Sequence, residues 1–188
     1  MKKSLAYHPK SICLFILCIC LSGWVFSQKT VAVPAGSIPV SGIQPNLSDS
    51  ALLDIVQRQT FRYFWDFAHP VSGMARERSN IGFGYGHETV TTGGTGFGIM
   101  SVIVAVERNW ISRDTAAKFM LKMVNFLLKA NSYHGAFPHW MDGATGKTIP
   151  FSRKDDGADL VETSYLFQGL LCARQYFNAD NKTERELR

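Results

Sequence analysis

The sequence predicts an all-α fold built from helical hairpins. Four stretches of the 188-residue chain carry apolar residues at helical spacing, the second and third joined by a tight turn. Two long glycine-bearing connections, 70–94 and 131–157, separate the rest. Loops of that length are uncommon without a function, and helical hairpins with long loops suit a toroid of hairpins. A four-helix bundle is the alternative architecture.

The first element is a leader. Met1-Lys2-Lys3 is basic, Ser11 to Phe26 is an apolar run, and Val25 and Ser27 offer small or modest residues at the −3 and −1 positions of a cleavage site. Residues 1–27 therefore read as a secretory signal peptide. The run is short for a spanning helix, which needs roughly 20 residues. A single N-terminal anchor is the plainer alternative. A lipidation box is missing its cysteine, since Trp24 follows Leu21-Ser22-Gly23. Removal of the leader takes Cys13, Cys18 and Cys20 and leaves Cys172 alone, so the exported chain forms no internal disulfide. The formal charge falls from +5 to +2 with Lys2, Lys3 and Lys10. A basic balance that is partly the leader's is no argument for a nucleic-acid partner, and no stable membrane association is expected after cleavage.

Residues 28–46, rich in Val, Pro, Gly and Ser, read as an extended linker. A first helix then runs from a Ser48 or Ser50 cap through Leu52, Ile55, Phe61, Phe64 and Phe67, and His69-Pro70 stops it. The glycines of 70–94 exclude a long regular element there. A second helix starts near Thr95 and carries Ile99, Val102 and Ile103 to about Trp110. Ser112 caps a third, whose inner face holds Phe119, Met120, Met123, Val124, Leu127 and Leu128. The fourth spans Ala158 to Phe177, apolar nearly all round and so expected to be buried on most sides. Beyond it, Asn178 to Arg188 reads as a linker and the first turn of another helix, with Thr183 as cap and Glu186 three residues on. Residues 47–188 are thus expected to be the N-terminal part of a larger catalytic domain.

The chemistry concentrates at Asp155-Asp156-Gly157-Ala158-Asp159-Leu160-Val161-Glu162, where four acids crowd a helix entrance. Glycoside hydrolysis needs two carboxylates, one to protonate the leaving oxygen and one to activate water or attack the sugar. Asp159 and Glu162 stand at i and i+3 and share a helix face. Capping and the helix dipole explain acids at a helix start equally well. Glu162 lies a turn further in, between Val161 and Leu166, and burial there suits a general acid. A second cluster, Tyr133 to Asp142, mixes aromatic rings, His134 and His139, which suits a saccharide; a loop anchored by Phe137 and Trp140 is the structural alternative. The histidine spacing is not a recognised zinc pattern, so no metal is expected. In a third block, Thr91 to Gly98, the glycines open a helix without a phosphate-loop lysine or βαβ context. Close packing or backbone approach to a ligand is the better reading. Arg76, Glu77 and Arg78 form a charged group on the first long connection, solvated by default.

Four blocks in order are more specific than any one: Thr60-Phe61-Arg62-Tyr63-Phe64-Trp65, Thr92-Gly93-Gly94-Thr95-Gly96-Phe97-Gly98, Gly135-Ala136-Phe137-Pro138-His139-Trp140 and Asp159-Leu160-Val161-Glu162-Thr163-Ser164. With them the chain resembles the bacterial glucoamylase-like glycoside hydrolases, whose characterised members are endo-β-1,2-glucanases. The resemblance implies a partial (α/α)6 toroid comprising about its first four helices, inverting cleavage of β-1,2-glucan and an oligo- or polysaccharide partner. It further implies no cofactor and an exported location. It makes Asp159 and Glu162 catalytic candidates, and Arg76, His139 and Trp140 substrate-binding candidates. A non-catalytic glycan-binding or inert helical remnant, with the acids as caps, is the competing reading. His139 and Tyr133 also leave a polysaccharide lyase open.

Overall fold

The computed structural model describes residues 45–79 and 86–188. The proposed signal peptide and most of the linker lie outside the described residues. Five helices follow in order: α1 Asp49–Trp65, α2 Thr92–Glu107, α3 Arg113–Leu127, α4 Leu160–Tyr176 and α5 Lys182–Leu187. Their ends follow local chemistry. The Ser48 hydroxyl accepts the Ala51 N–H at 3.3 Å to start α1, and the Ser112 hydroxyl accepts the Thr115 N–H at 3.2 Å to start α3. Asn109, at φ 57°, closes α2 in the left-handed region. There Trp110 N–H reaches Ala105 O at 2.8 Å and Asn109 N–H reaches Val106 O at 2.9 Å, the paired bonds of a Schellman ending. This makes the α2–α3 turn tight.

The first helix ends at Trp65, before the expected stop at His69-Pro70, and the structure departs from the expected pattern in four further places. First, the fold is helix-rich but not all-α. The two long connections meet in a three-stranded antiparallel sheet of β1 Thr89–Thr91, β2 Trp140–Asp142 and β3 Thr148–Ile149, in that order. Thr91 pairs with Trp140, Val90 with Met141, and Trp140 with Ile149. Val90 and Met141 point into the core, while Thr91 and Trp140 stand on the other face. Second, α2 begins at Thr92, three residues before the expected start, because a carboxylate from α4 satisfies its first turn. Third, α4 is not buried on most sides. Thr163, Leu166, Gly169 and Ala173 are its buried residues, and Leu160 and Val161 are 75 % and 62 % exposed. Fourth, Asn181 rather than Thr183 caps α5, its side-chain oxygen accepting the Glu184 N–H at 2.9 Å.

The core lies where α2 crosses α4 and α3 closes over α2. Ile99, Val102, Met120, Leu166 and Phe177 are fully buried in it. The crossing is close because two glycines face each other. A β-carbon on Gly96 would stand 2.1 Å from Tyr165 O, and one on Gly169 would stand 2.5 Å from Gly96 O. Two further ties lock the frame. Thr95 Oγ1 accepts the Ala75 N–H at 3.1 Å and donates to Thr91 O at 2.6 Å, fastening the first connection to α2. Arg113 on α3 grips Glu184 on α5 through two 2.9 Å bonds and lies over the Tyr176 ring at 4.7 Å. Among the described residues, no helix is long and apolar enough to cross a membrane.

Candidate active-site cleft

The entrances of α2 and α4 lie side by side, and the outer face of the sheet closes one flank. Between them is a cleft of about 480 Å³. Thr91, Gly93, Gly94 and Phe97 line it from the start of α2, and Glu162 and Tyr165 from α4. His139, Trp140 and Phe151 come from the second connection, and Glu77 and Arg78 from the first.

Glu162 bridges the two helices. Thr91 occupies the cap position of α2, but its side chain makes no capping bond. Glu162 Oε2 takes that part, accepting the Gly93 N–H at 2.8 Å and the Thr91 hydroxyl at 3.3 Å. It supplies an acceptor to an N–H that the helix itself leaves unpaired, at the end where a negative charge is favoured. Gly93 is the residue that permits this approach, since a β-carbon there would stand 2.5 Å from Oε2. Oε1 accepts no hydrogen bond from the described residues, on a side chain that lines the cleft.

Asp159 is the cap of α4. Its Oδ1 accepts the Val161 and Glu162 N–H groups at 2.9 and 3.0 Å, and its Oδ2 meets His139 Nδ1 at 2.9 Å. The backbone is clamped too, with Asp159 N–H donating to Phe137 O at 2.8 Å. Burial would raise the Asp159 carboxyl. The bonds from Glu162 N–H, His139 and Val161 N–H outweigh it and hold the carboxyl below the usual range.

Rings make up much of the remaining wall. Phe97 and Tyr165, one from each helix, stand 5.2 Å apart between centroids. Trp140 lies 4.8 Å from Phe151, and His139 lies 4.4 Å from Phe151 and edge-on to Trp140. Three of the five site residues read from the sequence line the cleft, Glu162, His139 and Trp140, and Asp159 stands behind them, joined to His139. Arg76 does not line the cleft. Its Nε donates to Phe67 O at 3.1 Å, its guanidinium lies 5.2 Å from the Phe67 ring centre, and its carbonyl accepts the Tyr63 hydroxyl. Its neighbours Glu77 and Arg78 are there instead, joined as an ion pair. Phe97, Phe151 and Tyr165 also stand in the cleft, and nothing in their local sequence distinguishes a cleft ring from a core ring. Asp142 spends its Oδ1 inside its own turn, on Ala144 N–H, Thr145 N–H and the Thr145 hydroxyl. Among the described residues, no three His, Cys, Asp or Glu side chains gather as metal ligands do.

No family model matches the chain. Similar proteins are nevertheless about half identical to it over roughly three quarters of its length. An exo β-1,2-glucooligosaccharide sophorohydrolase (non-reducing end) of Parabacteroides distasonis is 49 % identical over 150 residues, which are 79 % of this chain and 20 % of that protein. The endo-β-1,2-glucanase from Chitinophaga pinensis, solved with sophorotriose and glucose, superposes with a TM-score of 0.72 at 52 % identity, over 75 % of this chain and 34 % of that one. The solved β-1,2-glucanase from Parabacteroides distasonis gives 0.72 at 48 % identity, over 76 % and 20 %. The chain is homologous to the glucoamylase-like glycoside hydrolases. It spans about a fifth of the length of the curated relative and about a third of the Chitinophaga glucanase.

Proposed function

We propose that this chain forms part of the catalytic cleft of an exported glycoside hydrolase that cleaves β-1,2-glucan, within an (α/α)6 toroid. One observation carries the reading: a carboxylate, Glu162, stands in a cleft among Phe97, Tyr165, Trp140 and Phe151, with one oxygen held by α2 and the other without a protein partner among the described residues. Aromatic faces pack against the C–H faces of pyranose rings. The homology to β-1,2-glucan hydrolases supports the linkage, and the helical hairpins support the toroid. Export is supported by the leader pattern of residues 1–27.

In this reading Glu162 supplies one of the two carboxyl groups that glycoside hydrolysis requires. As the base, it takes a proton from the water whose oxygen joins the sugar C1, while a partner acid gives its proton to the glycosidic oxygen as the C1–O bond breaks. Because Gly93 and Thr91 hold Oε2, the side chain needs no reorganisation to present Oε1.

The test is release of oligosaccharides from linear β-1,2-glucan by the secreted protein, with β-1,3- and β-1,4-glucans as controls. Glu162→Gln keeps an oxygen for Gly93 N–H and removes the proton-transferring group. It is expected to lower kcat by about 10²–10⁴-fold with an unchanged circular dichroism spectrum. A folded protein that cleaves no β-1,2-glucan, or a fully active Glu162→Gln, would overturn the proposal.

A further inference from the structure

We propose that Asp159 acts as a positioning residue: it holds the neutral His139 ring with its proton on Nδ1, so that Nε2 offers a lone pair to a saccharide hydroxyl in the cleft. The saccharide half of this rests on the function proposed above; the proton on Nδ1 stands on geometry alone, and the neutral state of the ring is what the experiment reads.

An ionised carboxylate only accepts hydrogen bonds. Asp159 Oδ1 already serves two backbone N–H groups, and Oδ2 lies 2.9 Å from His139 Nδ1. The hydrogen between Oδ2 and Nδ1 must therefore belong to the imidazole. The opposite tautomer would set the Nδ1 lone pair against an anionic oxygen at the same distance. The two ring nitrogens are distinct, and a partner on one decides the role of the other. With the proton on Nδ1, Nε2 of the neutral ring is an acceptor. It makes no hydrogen bond to the described residues, and His139 lines the cleft.

Neither partner is free to turn away. Asp159 is pinned by the start of α4 and by Phe137 O. His139 is packed against Phe151 at 4.4 Å and Trp140 at 5.5 Å, and its carbonyl accepts the Thr92 N–H at 3.2 Å. The first turn of α4 thus does two jobs: its cap residue sets the tautomer of a cleft histidine, and Glu162 presents a carboxylate three residues later. A glycan offers a hydroxyl on most carbons, and an imidazole acceptor chooses one oriented as a donor. Substrates lacking that hydroxyl would leave Nε2 unpaired, so His139 contributes to which sugar face enters the cleft.

The experiment is long-range ¹⁵N–¹H correlation of the histidine side chains in the Glu162→Gln protein, in which turnover is expected to be slowed. The chain has five histidines, and His139→Gln identifies the signal. A neutral ring protonated at Nδ1 is expected, with the Nε2 resonance moving upfield when a linear β-1,2-gluco-oligosaccharide is added. Asp159→Asn retains an oxygen for the capping N–H groups and turns an amide N–H₂ toward Nδ1, so the ring proton should move to Nε2. In otherwise wild-type protein, Asp159→Asn and His139→Gln should each raise KM about tenfold. The pair together should do no worse than His139→Gln alone, because both act through one bond. A ring protonated at Nε2 in the Asp159 protein, or an Nε2 resonance that ignores the saccharide, would overturn the proposal. So would a further 100-fold loss of kcat on adding Asp159→Asn to His139→Gln, which would mean that Asp159 itself does chemistry. Failure of the wild type to cleave glucan would sink the proposed function while leaving the tautomer result intact.

Discussion

Replacing Gly96 by alanine probes the crossing that creates the cleft. In a solvent-exposed helix the change would stabilise, since alanine is favoured over glycine by about 1 kcal/mol. Here the new β-carbon would stand 2.1 Å from Tyr165 O, 2.5 Å from its carbonyl carbon and 2.9 Å from Leu166 N. Comfortable carbon contacts lie at about 3.5–4.0 Å, so the helices must separate by roughly 1 Å or more. All three obstacles are backbone atoms, which no rotamer change can move aside. Overpacking of this kind costs about 1–3 kcal/mol. Taking the upper part of that range and subtracting the propensity gain leaves a net loss of about 2 kcal/mol. Urea unfolding followed by circular dichroism should show a lower midpoint with an unchanged slope. Gly157→Ala is the control, because a β-carbon there meets nothing within 4 Å; it should change stability by less than about 0.5 kcal/mol. A Gly96→Ala protein as stable as the wild type would refute the close-crossing argument. Under the proposed function the same variant should also weaken glucan cleavage, since parting α2 from α4 draws Gly93 away from Glu162.

Three other outcomes are expected. Glu184 is held at about 2, against an ordinary 4.5, chiefly by the hydrogen bonds from Arg113. A depressed carboxyl adds stability that is present above pH 4.5 and lost as pH falls toward 2. Glu184 is almost fully buried, and the loss is on the order of 3 kcal/mol. Glu184→Gln should flatten that acid limb in pH-dependent unfolding, and an unchanged limb would count against the ion pair. Thr95→Val keeps the shape but strands the buried Ala75 N–H, which should cost about 1–3 kcal/mol in the same denaturation assay; a neutral result would mean that another acceptor reaches it. N-terminal sequencing of the secreted protein should begin at Gln28, and an intact Met1 would contradict cleavage after Ser27.

Much of the helical frame was legible because its signals are local. Ser48 and Ser112 cap the helices they precede, and the Asn109 turn is a short-range pattern of backbone bonds. The acidic run drew attention to Asp159 and Glu162, since carboxylates at a helix mouth are visible without knowing what lies opposite. The sheet was not legible: strands of two or three residues are too short to show a period of two, and β1 pairs with a segment some fifty residues away. Arg76 and its neighbours looked alike as a charged triplet, and only packing against Phe67 separated Arg76 from the cleft-lining Glu77 and Arg78. The exposure of α4 was also hidden, because an all-round apolar helix reports what it is able to bury, not what lies against it.

The sequence by itself determined which residues could carry chemistry and where the helices begin, for both rest on residue type and spacing over one or two turns. Only the tertiary structure divided the work between the two acids. Asp159 closes its own helix and holds His139, whereas Glu162 crosses to the start of α2 and keeps one oxygen for the cleft. That division depends on two helix entrances meeting over Gly93, Gly96 and Gly169, a long-range approach set by the absence of side chains. Local spacing reads both carboxylates onto one helix face, whereas Asp159 stands outside the helix as its extended cap, because its side chain bonds the first N–H groups of α4.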